Sequence, residues 1–301
     1  MRYGAMMDGS RPLDEVVGQV ASFQQAGFEA AWSSQIFGFD ALTLLAIVGR
    51  EVPGIGLGTA VVPIYPRHPI TLAGQALTVQ AATNGRLNLG IGLSHQVVIE
   101  GMYGYSFDRP VRRMREYLSI LEPLLHGEQV NIHGETVTAV TVRRLDVDAP
   151  APPVLLAALA PAMLRLAGTA ADGTITWMTG PKTVKEHIVP SINEAAAGAG
   201  RPVPRVVCAL PVCVTADPDA ARDAAGRTFA IYGQLPSYQA MLAREGAQGP
   251  ADVALVGSGR QVAEAIDKVE EAGATEFVSI LYGSREDQAR TLDFLAERVR
   301  S

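Results

Sequence analysis

The side chains able to do chemistry in this chain sit just past short apolar runs. Ser33-Ser34-Gln35 follows one run, Val62-Pro63-Ile64-Tyr65-Pro66-Arg67-His68-Pro69 another, and Gly90-Ile91-Gly92-Leu93-Ser94-His95 a third. Ala157-Ala158-Leu159-Ala160-Pro161, Trp177-Met178-Thr179-Gly180-Pro181-Lys182 and Tyr282-Gly283-Ser284-Arg285 follow others. No two of these places carry paired carboxylates, which tells against a glycosidase. There is no G-x-S-x-G elbow, and no His/Asp/Glu cluster has metal-ligand spacing, so no metal is expected. What remains is small residues, amides, hydroxyls and one tryptophan. That set suits a flat aromatic cofactor lying on backbone, its anionic tail held by Ser94, His95, Lys182 or Arg285.

Each residue also has a plainer reading. Gly90 and Gly92 relieve crowding in a strand, and no third glycine completes a dinucleotide-binding spacing. His68, between Arg67 and Pro69, reads as a helix-start residue. His126, His133 and His187 read as ordinary surface histidines. His95 divides evenly between structure and site, because it lies beside Ser94 just past a strand. Trp177 serves either as core or as a pocket wall.

The elements that must position these residues alternate along the whole chain. Strands are expected at Arg2–Met7, Ala30–Ser34, Gly56–Val62, Leu87–Leu93, Val154–Leu159, Thr174–Met178, Val206–Val214 and Glu276–Leu281, with helical patterns between them. Leu13, Val16, Val17, Val20 and Phe23 repeat at helical spacing, and Gly27 stops that helix. Eight strands without polar alternation, each followed by a helix, predict an α/β fold, an (α/β)8 TIM barrel of one domain over residues 1–301. Sites in such barrels lie at the C-terminal strand ends. Two insertions break the alternation: a β-hairpin over 129–143, with His133-Gly134-Glu135 near its turn, and a long stretch over 228–254 near the active-site rim.

Composition narrows the partners. The chain has 301 residues, 48% apolar and 19% charged, enough to bury a large core. A net charge of −6 is opposite to a nucleic-acid-binding footprint. Cys208 and Cys213, five apart on a strand, point to opposite faces and cannot form a disulfide scaffold. The uncharged stretch Ala149–Leu164 is broken by Pro150, Pro152, Pro153 and Pro161, and no secretory pattern opens the chain. A cytoplasmic protein acting on a small molecule, with no membrane and no nucleic acid, is the expectation.

Taken together, Tyr65-Pro66-Arg67-His68-Pro69, Asn84-Gly85-Arg86-Leu87-Asn88-Leu89-Gly90-Ile91-Gly92, Arg109-Pro110, Arg115-Glu116-Tyr117-Leu118 and Ala171-Asp172-Gly173 resemble the bacterial luciferase-like superfamily end to end. The Arg-His-Pro stretch, Gly92-Leu93-Ser94-His95 and Leu159-Ala160-Pro161 resemble its branch that uses the deazaflavin coenzyme F420, common in actinobacteria. The resemblance implies a luciferase-like barrel with insertions, often a homodimer, and a cis peptide at Ala60–Val61. It implies a ring lying against Ala60, Val61 and Val62, flanked by Ser34, Gln35 and Ala158, with Leu159, Ala160, Trp177 and Met178 completing the cofactor site. It places the tail at Ser94, His95, Thr179, Gly180 and Lys182, with Gly92 also among the cofactor-binding residues. The chain departs from relatives that carry an Asp-His pair after the second strand, since it has Ser34-Gln35 there. That tells against a sugar-phosphate dehydrogenase and leaves Ser34, Gln35 and His95 as the catalytic candidates.

The resulting reading is an F420-dependent oxidoreductase. It would transfer a hydride between reduced deazaflavin and a small organic substrate with an activated C=C or C=N bond. The alternatives are an FMN-dependent luciferase-like monooxygenase and a cofactor-binding protein without turnover.

Overall fold

Strands that are apolar on both faces need cover on both faces, and a ring of helices around a closed sheet supplies it. The computed structural model describes residues 1–300. The chain runs β1 (Arg2–Met6), α1 (Leu13–Ala26), β2 (Ala30–Ser33), α2 (Ala41–Glu51), β3 (Gly56–Thr59), its continuation β4 (Val62–Pro63), α3 (Pro69–Ala82), β5 (Leu87–Gly92), α4 (Gln96–Gly101) and α5 (Pro110–Leu125). The hairpin β6 (Asn131–His133) and β7 (Thr138–Val140) follows, then β8 (Val154–Ala157), α6 (Pro161–Ala170) and β9 (Gly173–Trp177). Next, α7 (Pro181–Thr183) passes through a π-turn, Val184–Ile188, into α8 (Val189–Gly198). The chain ends with β10 (Arg205–Val214), α9 (Pro218–Thr228), a 3-10 turn at Ala230–Gln234, α10 (Pro236–Glu245), α11 (Pro250–Val253), β11 (Leu255–Gly257), α12 (Gly259–Glu271), β12 (Glu276–Leu281) and α13 (Arg285–Arg300).

The parallel ladder β1-β2-β3-β5-β8-β9-β10-β12 closes on itself, because β12 pairs with β1 and β9 with β10. This is the eight-stranded (α/β)8 barrel that the sequence predicts. The second insertion is helical, and β11, which the sequence reading missed, extends the sheet by pairing Leu255 with Val212 of β10. Local signals hold the helices in place. Gly27 ends α1 at φ 96°, and Asp40 caps α2 by accepting from the Thr43 amide at 2.9 Å. His68 starts α3, with its Nδ1 accepting from the Ile70 amide at 3.3 Å. No helix among the described residues is long and apolar enough to cross a membrane.

The N-terminal end of the barrel is plugged by a polar group. The fully buried Trp32 donates its indole N–H to Glu276 at 2.8 Å. Arg205 donates to the other Glu276 oxygen at 2.9 Å and to Asn88 at 2.6 Å. Gly4 and Gly58 make room for the indole, since a Cβ on Gly58 would lie 2.3 Å from it.

Candidate active site at the C-terminal mouth

The opposite end of the barrel has no such polar plug. Its interior cluster of Ala30, Trp32, Leu155, Ile175, Val207, Ala209 and Val278 is topped by half-buried Met6, Ala60, Val61, Ala157, Trp177 and Ile280. These six come from the ends of β1, β3, β8, β9 and β12, so together they form an apolar floor at the mouth.

Close backbone approach builds one side of that floor. Between β3 and β4 the chain steps over the cis peptide Ala60–Val61. The Thr59 hydroxyl bridges to β5, donating to the Gly90 carbonyl at 2.7 Å and accepting from its amide at 2.8 Å. A Cβ on Gly90 would lie 1.9 Å from the Thr59 oxygen, and one on Gly92 would lie 2.7 Å from Val61. Glycine is therefore needed at both positions for Ala60 and Val61 to sit where they do.

Alternation along each strand sorts the predicted ring contacts. Ala60, Val61 and Trp177 face the mouth, whereas Val62, Ala158 and Met178 pack into the outer core under the helices. The side chain facing the mouth on β8 is Ala157, one residue before the predicted Ala158. Successive strand residues point to opposite faces, and here both faces are apolar, so residue type does not mark the inward one. Met6 and Ile280 were missed for the same reason.

The polar candidates divide in the same way. Ser34 is half-buried, and its hydroxyl meets no partner within the described chain. The Gln35 side-chain oxygen is already occupied, accepting from the Ala41 amide at 2.8 Å and from Arg67 at 3.1 Å. Arg67 in turn pairs with Asp40. Ser94 and Met178, each just past a barrel strand, take left-handed φ values of 60° and 52°. Such conformations cost on the order of 1 kcal/mol in a non-glycine residue and concentrate at functional sites. His95 precedes α4 without capping it and packs against Tyr238 at 5.6 Å between ring centroids. Burial lowers its pKa, so the imidazole is neutral at pH 7.

The second insertion crosses the mouth. Trp177 meets Phe229 at 5.6 Å and Tyr232 at 5.5 Å, and Tyr232 meets Tyr238 at 5.4 Å, all edge-on. Glu245, at the end of α10, fixes the insertion from the other side. It accepts from the Lys182 amide at 3.1 Å and from the Thr183 amide and hydroxyl at 2.7 Å each. The helix start after β9, a natural anion seat, thus already holds a carboxylate of this chain. Gly180 is buried against Glu245, and the Thr179 hydroxyl turns back to the Trp177 carbonyl at 3.1 Å. The Lys182 side chain remains exposed, as do Ala160 and Arg285. Half-buried Leu159 offers its carbonyl to His187 Nε2 at 2.8 Å. His187 is therefore not a surface histidine: it is buried three residues after Val184 on the inner stripe of that helix.

Among the described residues no cluster of three or more His, Cys, Asp or Glu could hold a metal ion. The floor instead fits a planar ring, being apolar, made mostly of small side chains, and edged by Ser34, Ser94 and His95. A cavity of about 420 Å³ opens beside the rim, lined by Tyr65, Arg67, His68, Tyr105, Arg113 and Tyr117 among others. One of about 500 Å³ lies away from the mouth, between Leu77, Leu125 and the segment entering β8. Of the predicted ring contacts, Ala60, Val61 and Trp177 meet at the floor, and neither cavity includes them.

Known proteins resemble the chain at several levels. The family model for luciferase-like monooxygenases matches residues 1–276. A Mycobacterium tuberculosis protein that carries the name of a coenzyme F420-dependent oxidoreductase is 30% identical, over 58% of this chain and 54% of that protein. The match therefore spans little more than half that relative's length. The 5,10-methylenetetrahydromethanopterin reductase of Methanolobus tindarius is 27% identical, over 74% of this chain and 68% of the reductase. Among solved structures, the coenzyme F420-dependent tetrahydromethanopterin reductase of Methanopyrus kandleri superposes with a TM-score of 0.82 at 20% identity, covering 98% of this chain and 97% of that one. An F420-dependent secondary alcohol dehydrogenase bound to an F420–acetone adduct gives 0.84 at 18% identity, covering 98% and 97%. At these identities the two structures speak for the fold.

Proposed function

Because the chain belongs to the luciferase-like monooxygenase family, we propose that it is an F420-dependent oxidoreductase acting on a small organic acceptor with an activated C=C or C=N bond. The observation that carries this reading is the apolar floor of Met6, Ala60, Val61, Ala157, Trp177 and Ile280. The floor supports one face of a planar ring and leaves the other open to the mouth. The relatives named for F420 and for a pterin reductase support the choice of cofactor. Bound there, the deazaflavin supplies the hydride chemistry itself. The chain supplies orientation, through the floor and the Trp177 wall, and water exclusion, through the aromatic side chains of the insertion. Ser34 carries a free hydroxyl and His95 a neutral imidazole, and either can hold a proton at the ring's edge. Gln35 orients the β2 loop through Ala41 and Arg67.

For the anionic tail, the Lys182 side chain is the available cation, because Glu245 occupies the neighbouring amides. Lys182→Ala is expected to weaken F420 binding by roughly 1.5–3 kcal/mol, the scale of a hydrogen bond to a charged group. Turnover at saturating cofactor should hold, since the hydride path is untouched. His95→Ala should cost less affinity, because a neutral imidazole offers no charge. Isothermal titration and steady-state rates separate the two roles. A large fall in saturated turnover with unchanged affinity would make His95 the proton donor instead.

The cofactor itself is tested by titrating F420 and FMN while following tryptophan fluorescence. Trp177 should be quenched by F420 at lower concentration than by FMN, and Trp177→Phe should remove most of that response. Trp32 is sealed in the barrel and should stay silent. Equal or tighter FMN binding would replace this reading with the monooxygenase one. The reading also includes a homodimer, which sedimentation velocity checks.

A further inference from the structure

The cavity of about 420 Å³ beside the rim is walled by the loop that starts α3, by α5 and by the hairpin, and it shares no residue with the floor. Its lining includes Arg67 and Arg113 and no acidic side chain. Arg67 is balanced by Asp40, which lies outside the lining. Arg113 has no ion-pair partner among the described residues. Its guanidinium lies 4.5 Å over the Tyr65 ring, and only Nη1 is engaged, donating to the Thr136 carbonyl at 3.1 Å. Nε and Nη2, one edge of the planar fork, meet no acceptor among the described residues. Neighbouring carboxylates are spent elsewhere. Glu116 accepts from the Glu135 and Thr136 amides, Glu135 pairs with Arg109 and Arg112, and Glu100 accepts from the Phe107 amide. Asp108 acts on Tyr65 only at coulombic range and is not part of the lining. Tyr65 is 3% exposed and stacks on Phe107 at 5.4 Å, yet its hydroxyl also meets no partner. Buried polar groups nearly always have a partner, so two orphan donors at one cavity point to a ligand that supplies the acceptor.

We propose that this cavity binds a small organic carboxylate with a flat apolar body. The carboxylate takes the Nε–Nη2 edge of Arg113 as a bidentate pair and accepts from the Tyr65 hydroxyl. The planar fork of an arginine matches the two oxygens of a carboxylate. The guanidinium lies over the ring that carries the hydroxyl, so one carboxylate spans both donors. The body of the ligand lies among Pro66, Tyr105, Tyr117 and Val137. Tyr117 is a wall alone, since its hydroxyl is donated to the Arg67 carbonyl at 3.0 Å. Inorganic phosphate would satisfy the donors but leave these apolar walls uncovered, so an organic anion is the better fit. The volume suits a small molecule. This site is separate from the ring-on-floor reading and needs no cofactor.

Saturation-transfer NMR of benzoate with the full-length chain at pH 7 tests the site. Benzoate is expected to bind at least about tenfold more tightly than benzamide, its neutral counterpart of the same shape, because its hydrogen bonds are charge-assisted. Inorganic phosphate should displace it only in large excess. Tyr65→Phe should weaken benzoate binding about fivefold or more. Its thermal midpoint should stay at or above that of the wild type, because the hydroxyl removed has no partner in the free protein. Arg113→Gln should weaken binding about tenfold or more. A loss of affinity in either variant, with wild-type circular dichroism, supports the site. Absence of benzoate binding, benzamide binding as tight as benzoate, displacement by equimolar phosphate, or wild-type affinity in both variants overturns it. So does benzoate binding that Lys182→Ala abolishes, because the anion would then sit at the candidate tail site. No probe here requires deazaflavin, so a failure of F420 binding leaves this measurement readable.

Discussion

Replacing Glu276 by alanine is expected to lower the unfolding free energy by about 3–5 kcal/mol, the scale for breaking a buried ion pair on one side. Glu276 is 1% exposed at the start of β12 and serves two donors, the Trp32 indole and the Arg205 guanidinium. Arg2 stands 3.9 Å from the same carboxylate. Alanine leaves the indole N–H without an acceptor in a sealed interior, and it leaves Arg205, only one quarter exposed, without its anion. Glutamine keeps an acceptor of the same shape and removes only the charge, so Glu276→Gln should cost less. Urea unfolding followed by far-UV circular dichroism measures both. A loss below about 1 kcal/mol for alanine would mean that water reaches the plug, since exposed pairs are worth no more than that. Ligand binding at the mouth should be unaffected in either variant, because the plug lies at the other end of the barrel.

Gly90→Ala should be comparably severe and should also damage the mouth. The added methyl would stand 1.9 Å from the Thr59 carbonyl oxygen and 3.1 Å from Val61. Backbone sets the first contact, so β3 and β5 must separate. Both hydrogen bonds of the Thr59 hydroxyl to Gly90 then fail. Overpacking of about 1–3 kcal/mol and two hydrogen bonds of about 1 kcal/mol each give a loss of roughly 3–5 kcal/mol. Ala60 and Val61 move with the strand, so ring affinity should fall by tenfold or more (about 1.4 kcal/mol). Gly74→Ala is the control. It lies inside α3 with no atom within 4 Å of the new methyl, and alanine should stabilise it by about 0.5–1 kcal/mol. A Gly90→Ala protein with wild-type stability and affinity would show that the floor does not depend on this close approach.

The sequence by itself determined the barrel. Each strand is a short, mostly apolar run without polar alternation, as a strand covered on both faces must be, and eight of them with helices between leave few other closures. It also pointed to the C-terminal strand ends as the candidate site, because Ser34, Ser94, His95 and Lys182 follow strands there. The hairpin over 129–143 was legible from local alternation and its turn residues. The tertiary structure decided the rest. Which of Val61 or Val62, and Ala157 or Ala158, faces the mouth depends on the turn of the strand about its axis, and two apolar faces give no contrast to read. His187 sits among charged neighbours that suggest surface, yet its helix turns it toward the Leu159 carbonyl. Glu245 reaches Lys182 across 63 residues, and Trp32 reaches Glu276 across 244. No local pattern announces such pairs, because the donors and acceptors meet only when the barrel has closed and the insertion lies across its mouth.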